Sequence, residues 1–357
     1  MNLFNINSRG INNKAHFSLN DKVNMNFKKV YLIFGLFLAQ MSFAQEGVAV
    51  YSDYLSDNYY LIHPSMAGAA NCAKIRATAR QQWFGQSDAP QLQTLSFNTA
   101  VGSNSGIGAI VFNDKNGYHS QTGAKLTYAH HIRFSRSDYD LNQLSFGMSA
   151  GLVQSRLDET SFDPDFDPII DGGMKQKDSY FNVDIGASYH YLDFYAHFTA
   201  KNVIKSKRNL YTDIESSNLT SYLFTVGYVF GLNDNAWQLE PSLMFQAISE
   251  TKEKTIDLNL KAYKEMDFGR LWGGLSYRRS LDGAQYQPSP GVSVKEQYLQ
   301  YITPILGVNY KSFMFSYTYS YLTGDVKFDN TGFHQITLGL NLFCKREKYD
   351  CNCPAVN

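Results

Sequence analysis

From Gln143 onward the chain sets Leu144, Phe146, Met148, Ala150 and Leu152 on one parity, against Ser145, Gly147, Ser149 and Gly151 on the other. A period of two belongs to a β-strand with one apolar and one small, polar face. The pattern recurs at Phe181, Val183, Ile185, Ala187 and Tyr189, at Ile256, Leu258, Leu260 and Ala262, at Phe313, Phe315, Tyr317 and Tyr319, and at Ile336, Leu338, Leu340 and Leu342. No stretch sustains helical spacing. About fourteen such runs can be counted, each of roughly ten residues, the length a tilted strand needs to cross a bilayer. Their spans are 75–84, 91–101, 105–113, 122–134, 142–154, 178–191, 193–202, 219–231, 235–249, 253–266, 268–280, 299–310, 312–321 and 331–344.

The connections carry independent information. Those around Gly102, Ser137, Leu192, Asn233, Phe268 and Lys311 read as tight, while those around Asp88, Lys115, Asp165, Ser206, Lys252, Pro288 and Asp325 read as mostly longer and more polar. Short and long alternate, as in an up-and-down barrel with short periplasmic turns and long external loops, and an even strand count leaves both termini in the periplasm. A soluble β-sandwich or jelly roll also alternates, but it fills its core with Val, Ile and Leu and needs no aromatic surplus. Here 15% of residues are aromatic and only 18% charged. Tyr189, Tyr191, Tyr310, Tyr319, Tyr321 and Trp83 fall near strand ends, where interfacial girdles sit. The expected fold is therefore all-β: a transmembrane antiparallel barrel of the outer-membrane type, with outer-membrane lipid as its surroundings. The 32 basic residues balance 32 acidic ones, so there is no cationic surplus to bind nucleic acid.

Residues 25–44 read MNFKKVYLIFGLFLAQMSFA: two lysines, an apolar run and a small-x-small ending. This is the pattern of a secretory signal peptide, too short to span a bilayer. Met25 is the expected start and Ala44 the last residue before cleavage. The expected organisation is then a leader over 1–44, a periplasmic segment over 45–74, a barrel over 75–344 and a periplasmic tail over 345–357.

Catalytic and metal signatures are sparse. His130 and His131 are adjacent, so on a strand they face opposite sides. Neither H-E-x-x-H nor G-x-S-x-G occurs, nor a phosphate-cradling glycine loop with its lysine. Asp163, Asp165 and Asp167 resemble the opening of a calcium loop, but Pro168 stands where the turn needs Gly and Met174 where a bidentate Glu belongs, which leaves an acidic external loop. No enzyme activity, cofactor or metal is expected. Cys72, Cys344, Cys351 and Cys353 lie outside the strands or at their ends. In an oxidising compartment Cys72 can pair with a tail cysteine, although connectivity is not readable, and Cys351 with Cys353 alone makes a poor metal site.

Around the first strand the sequence reads His63-Pro64-Ser65-Met66-Ala67-Gly68, then Arg80-Gln81-Gln82-Trp83-Phe84-Gly85 and Pro90. This resembles the NPA-x-AG … R-x-QW-x-G … P opening of the PorP/SprF family, outer-membrane components of the Bacteroidota type IX secretion system. The resemblance continues through Gly106-Ile107-Gly108, Asp114, Gly117, Tyr128-Ala129-His130, Leu144 to Gly147, and Gly332 to Ile336 with His334. The chain departs from it at His63, where Asn is usual, at Ser65 for Ala, and at Gln335, where an acid commonly follows the histidine. Read from the residues alone, Pro64 and Gly68 permit a tight reversal as the periplasmic segment enters the barrel. Arg80 and Gln82 share a parity that suits a polar lumen network, while Trp83 faces the other way, toward lipid or a partner. Either a structural or a partner-contact role fits this block.

The resemblance implies a non-enzymatic role, supporting export and surface attachment of a particular secreted, adhesin-like protein, of the kind used in gliding motility, alongside periplasmic secretion or anchoring components. On that reading the client docks on external loops 155–177, 203–218 and 281–298, where Phe162, Phe166, Tyr211 and Tyr286 are aromatic anchors. The alternative is an outer-membrane channel for small or hydrophobic solutes.

Overall fold

The computed structural model describes residues 55 and 57–356, apart from 83–88, 136–138, 161–174, 207–217, 233–236, 288–292, 324–331 and 346–348. The strands are β1 (Ala73–Gln82), β2 (Gln91–Val101), β3 (Ser105–Asn116), β4 (His119–Arg133), β5 (Asn142–Asp158), β6 (Lys175–Tyr191), β7 (Phe194–Lys201), β8 (Ser221–Tyr228), β9 (Phe230–Leu232), β10 (Trp237–Ile248), β11 (Lys254–Met266), β12 (Gly269–Ser280), β13 (Ala284–Tyr286), β14 (Lys295–Gln297), β15 (Gln300–Tyr310), β16 (Phe313–Thr323) and β17 (Gly332–Leu342). β9 continues β8 on the same edge of β10, and β13 pairs with β14 in a separate small ribbon, so fourteen strands form the wall. Each is antiparallel to its neighbours in chain order, and β17 returns to β1 with Leu342 opposite Ala73. The ring is closed, leaving no sheet edge to face lipid.

The alternation sorts the faces inside out. Leu126 is 72% exposed and Leu306 68%, and Leu95, Val111, Phe146, Leu152, Leu258, Leu275, Phe315 and Leu338 join them on the outer surface. Their immediate neighbours Ser96, Ser145, Thr127, Asp257, Ser276, Ser316 and Thr337 are buried toward the lumen. In water this arrangement would be unstable, whereas in a bilayer it solvates the apolar face with acyl chains and keeps polar groups away from them.

Two connections differ from the sequence reading. The one near Lys115 is a tight turn at Gly117–Tyr118, because β3 and β4 extend to Asn116 and His119, and Gly117 supplies the left-handed φ of +62° it needs. The one near Ser137 spans 134–141, longer than the tight turn expected. β5 and β6 also run past the expected ends to Asp158 and from Lys175, with Asp158 and Lys175 in an ion pair of 2.9 Å. The first and last wall strands begin and end at the rim that carries the turns at 102–104, 192–193, 267–268 and 311–312, called here the turn end; the opposite rim is the loop end. Cys72 and Cys344, flanking the β1–β17 seam at the turn end, are joined by a disulfide.

Candidate functional site: a lumen filled by the chain's own segment

A wall of fourteen strands encloses more space than its side chains can fill, since eight suffice for a packed interior and sixteen leave an aqueous channel. Here Leu55 and residues 57–70 occupy the lumen. The sequence reading puts this segment in the periplasm, but Tyr59, Tyr60, Ile62, His63, Ser65, Met66 and Ala67 are buried within the ring of strands. It is built from two single 3-10 turns, Tyr59–Leu61 and Pro64–Met66, the second opening on Pro64, whose missing N–H costs nothing at a helix start. Gly68 ends it with φ +69°.

The wall makes room for this plug at glycines. A Cβ on Gly147 would stand 2.4 Å from the Pro64 carbonyl carbon, and one on Gly108 2.4 Å from the Tyr60 hydroxyl. One on Gly68 would stand 2.6 Å from both the Thr99 carbonyl oxygen and the Gly106 Cα.

Polar groups then fix the register. Tyr60 Oη meets Thr127 Oγ1 at 2.8 Å, Ser65 Oγ meets Ser188 Oγ at 2.6 Å, Gly68 N donates to Asn98 Oδ1 at 3.1 Å, and the Ala67 carbonyl lies 3.1 Å from His131 Nε2. His63 is fully buried, with Nδ1 2.8 Å from Thr199 Oγ1 and Nε2 3.1 Å from Thr225 Oγ1, and its ring centroid is 4.7 Å from that of His197. Burial pushes the His63 imidazole down to about 3, and the Lys201 and His190 charges add to the effect. The ring is therefore neutral at physiological pH.

The strongest anchor is Glu240 on β10. Its Oε1 accepts from Tyr59 at 2.8 Å and from Tyr195 at 2.5 Å, and its Oε2 accepts from Tyr263 at 2.5 Å. Lys261 Nζ stands 3.1 Å from the same Oε2 and 5.3 Å from the centre of the Tyr59 ring. A carboxylate removed from water is tolerated only when charge and hydrogen bonds are both supplied, and here the plug contributes one of the donors. A second buried ion pair, Arg278 with Asp257, is bidentate at 2.5 and 2.9 Å and flanks Leu55 toward the loop end.

At the turn end the tail folds back over the mouth. Asp350 N donates to the Tyr139 carbonyl at 2.7 Å, Asn352 N to Asp193 Oδ1 at 2.7 Å, and Gln238 Nε2 to Asn352 Oδ1 at 3.1 Å. Lys74 Nζ reaches the Ala355 carbonyl at 2.9 Å and Asn71 N the Val356 carbonyl at 2.8 Å. Leu141, Cys353 and Val356 form a small apolar cluster beneath this strap, which also contains a Cys351–Cys353 disulfide.

The residues singled out in the sequence scatter across this frame. Pro64 and Gly68 lie in the plug. Arg80 points into the lumen, with its guanidinium 5.0 Å from the Phe333 ring centre, and Asp114 is buried on the inner face of β3. Gln82 ends β1, its N–H donating to the Pro90 carbonyl at 2.9 Å. His334 is not in the lumen: it lies on the outer face, with Nδ1 2.5 Å from the Tyr317 hydroxyl and its ring 4.8 Å from that of Tyr319. Trp83, Phe162, Phe166 and Tyr211 lie outside the described residues, as does the side chain of Tyr286. Sequence reasoning misses Tyr59, Glu240 and Lys261 as a unit; the available signal is a pair of opposite charges on the inward parity of two neighbouring strands. Among the described residues no group of three or more His, Cys, Asp or Glu is placed to hold a metal.

The family model described as type IX secretion system membrane protein PorP/SprF matches residues 43–340. No protein of curated function matches the chain. Among solved structures, the toluene transporter TodX of Pseudomonas putida is 11% identical, with a TM-score of 0.42, over 80% of this chain and 92% of its own. OmpF of Salmonella typhi, in a complex with daunomycin, is 12% identical, with a TM-score of 0.36, over 76% and 96%. The translocator domain of the autotransporter NalP of Neisseria meningitidis is 11% identical, with a TM-score of 0.33, over 76% and 88%.

Proposed function

Starting from the fact that the chain belongs to the PorP/SprF family of type IX secretion system membrane proteins, we propose that it supports the export and surface attachment of one secreted, adhesin-like client by docking it, rather than by conducting it. The observation that carries this reading is the filled lumen: an internal segment held by Glu240, Thr127, Thr199 and Asn98, and a strap across the turn end, occupy the space a passage would need. Such a barrel offers partners its two rims. On this reading the leader over 25–44 is removed after Ala44, the turn end faces the periplasm, and the strap meets periplasmic secretion or anchoring components. The client engages the loop end, where Phe162, Phe166, Tyr211 and Tyr286 supply aromatic contact area, the kind of residue that dominates protein interfaces. The Cys72–Cys344 pair then holds the seam closed on the periplasmic side. The work of export comes from elsewhere in the system, and the barrel performs no catalysis.

A deletion strain tests this. Surface display of at least one type IX client is expected to fail while uptake of small solutes is unchanged, and the tagged barrel is expected to co-purify with that client. Full display of every client together with loss of a nutrient's uptake would overturn the docking reading in favour of a solute channel.

A further inference from the structure

Two cysteine pairs lie near the turn end, and they differ in what they can do for the fold. Cys72 and Cys344 are 272 residues apart, so their bond restricts the whole unfolded chain. Cys351 and Cys353 are two apart. Closing so small a ring removes little freedom from the unfolded chain, so the second pair acts on its surroundings more than on global stability.

Those surroundings are specific. The residue between the two cysteines, Asn352, ties the strap to the wall twice: its N–H donates to Asp193 Oδ1 in the β6–β7 turn at 2.7 Å, and its Oδ1 accepts from Gln238 on β10 at 3.1 Å. The ring closed by the pair therefore sets the backbone of Asn352, which makes the first bond and aims the side chain that makes the second. Cys353 is buried against Leu141 and Val356, whereas Cys351 is only partly buried and is the more exposed residue of the pair. Beneath the strap is a small cavity of about 10 Å³, lined by Tyr59, His190, Tyr195 and His197 from the plug and wall and by Pro354 and Val356 from the strap. His190 is only 3% exposed there, and its Nδ1 has no hydrogen-bond partner among the described residues.

We propose that Cys351–Cys353 is a thiol–disulfide exchange site for a dithiol reductant, and that its opening unlatches the strap from the histidine-lined cavity. A thiolate of the dithiol attacks Cys351 Sγ, forming a mixed disulfide and releasing the Cys353 thiolate. The second thiol of the dithiol then displaces Cys351. The dithiol leaves as a disulfide, two electrons having passed to the pair, and each cysteine ends as a thiol after taking up one proton. With the ring open Asn352 no longer holds its two bonds together, and Pro354 and Val356 lift from the cavity. The inference goes beyond the docking reading and stands or falls without it.

The test uses the whole folded protein in detergent micelles, with dithiothreitol as the dithiol, alkylation mass spectrometry to follow each cysteine, and diethyl pyrocarbonate to label histidines. Cys351 and Cys353 are expected to become alkylated about tenfold faster than Cys72 and Cys344, since access governs exchange. His190 labelling is expected to rise at least about fivefold on reduction, as for any site exposed by local opening. The Cys351→Ser/Cys353→Ser variant should show the same rise without reductant, and Cys72→Ser/Cys344→Ser should not. If the two pairs are reduced at equal rates, or if His190 stays protected once Cys351 and Cys353 are alkylated in the wild-type barrel, the proposal is wrong. The wild-type arm decides the matter even if a variant fails to fold.

Discussion

On the outer face of β4, Leu126 stands beside lipid with no particular partner to satisfy, whereas one residue away, on the inner face, Thr127 Oγ1 lies 2.8 Å from Tyr60 of the plug and 2.7 Å from Ser149 of β5. The outer face is held by a solvent, and any side chain of suitable hydrophobicity serves it. The inner face is held by named partners, several of them contributed by a plug whose contacts with the wall span from 30 to 181 residues of chain. Substitutions outside should therefore be judged by polarity and depth, and substitutions inside by geometry and charge.

The largest expected effect comes from the steric seat of the plug. Gly147→Val sets methyl groups where Pro64 now lies, with even a bare Cβ only 2.4 Å from the Pro64 carbonyl. In planar bilayers the wild-type barrel should stay closed and the variant should pass steady ionic current. An unchanged closed state would mean that something other than this segment fills the lumen.

Next is the buried pair. Glu240→Ala leaves Lys261 charged and unpaired and should cost about 3–5 kcal/mol, read as a lowered denaturant midpoint in micelles. Adding Lys261→Met should recover most of that loss, because no uncompensated charge then remains buried. Failure of the second change to rescue would show that the three tyrosine hydroxyls, not the ion pair, carry the energy.

The outer face makes a smaller and simpler prediction. Leu126→Arg, near the middle of β4, should cost about 2–4 kcal/mol by the same measurement, while Leu126→Phe should cost almost nothing. A large penalty for the phenylalanine would mean that this face contacts a specific protein partner.

The smallest effect concerns pH. The His63 imidazole, ordinarily near 6.5, is held at about 3 by burial, so in the seated plug it refuses a proton that the unseated plug accepts. Seating is fully stable above about 6.5 and weakens as pH falls toward about 3, where the seated ring titrates as well. The thermal midpoint of the wild type should fall over that window more than that of His63→Asn. Parallel curves for the two would assign the acid sensitivity to other groups.

Much of the wall is legible in the sequence because a bilayer imposes a simple rule. β2 occupies 91–101 as its alternation predicts, and the fourteen wall strands follow the fourteen apolar runs. Where boundaries slip, as at β5 and β6, the strands run past the apolar runs and polar residues such as Arg156 and Lys177 carry the ladder where no apolar pattern marks it. The plug is not legible by such means. Its two 3-10 turns are too short to show a period, and its partners, Glu240 and Thr225 among them, are set by closure of the ring. Glycine does leave a trace, since Gly106, Gly108 and Gly147 stand out along the strands, but only the closed ring shows that they form a seat.

The seam between β1 and β17 bears on how the molecule is made. Because the plug immediately precedes the first strand, the pairing of β1 with β17 that closes the ring is made beside the point where the plug joins the wall. Filling and sealing are thus coupled through one short stretch of chain: whatever closes the seam also holds the near end of the filler. A chain delivered without its forward segment would have to close on water.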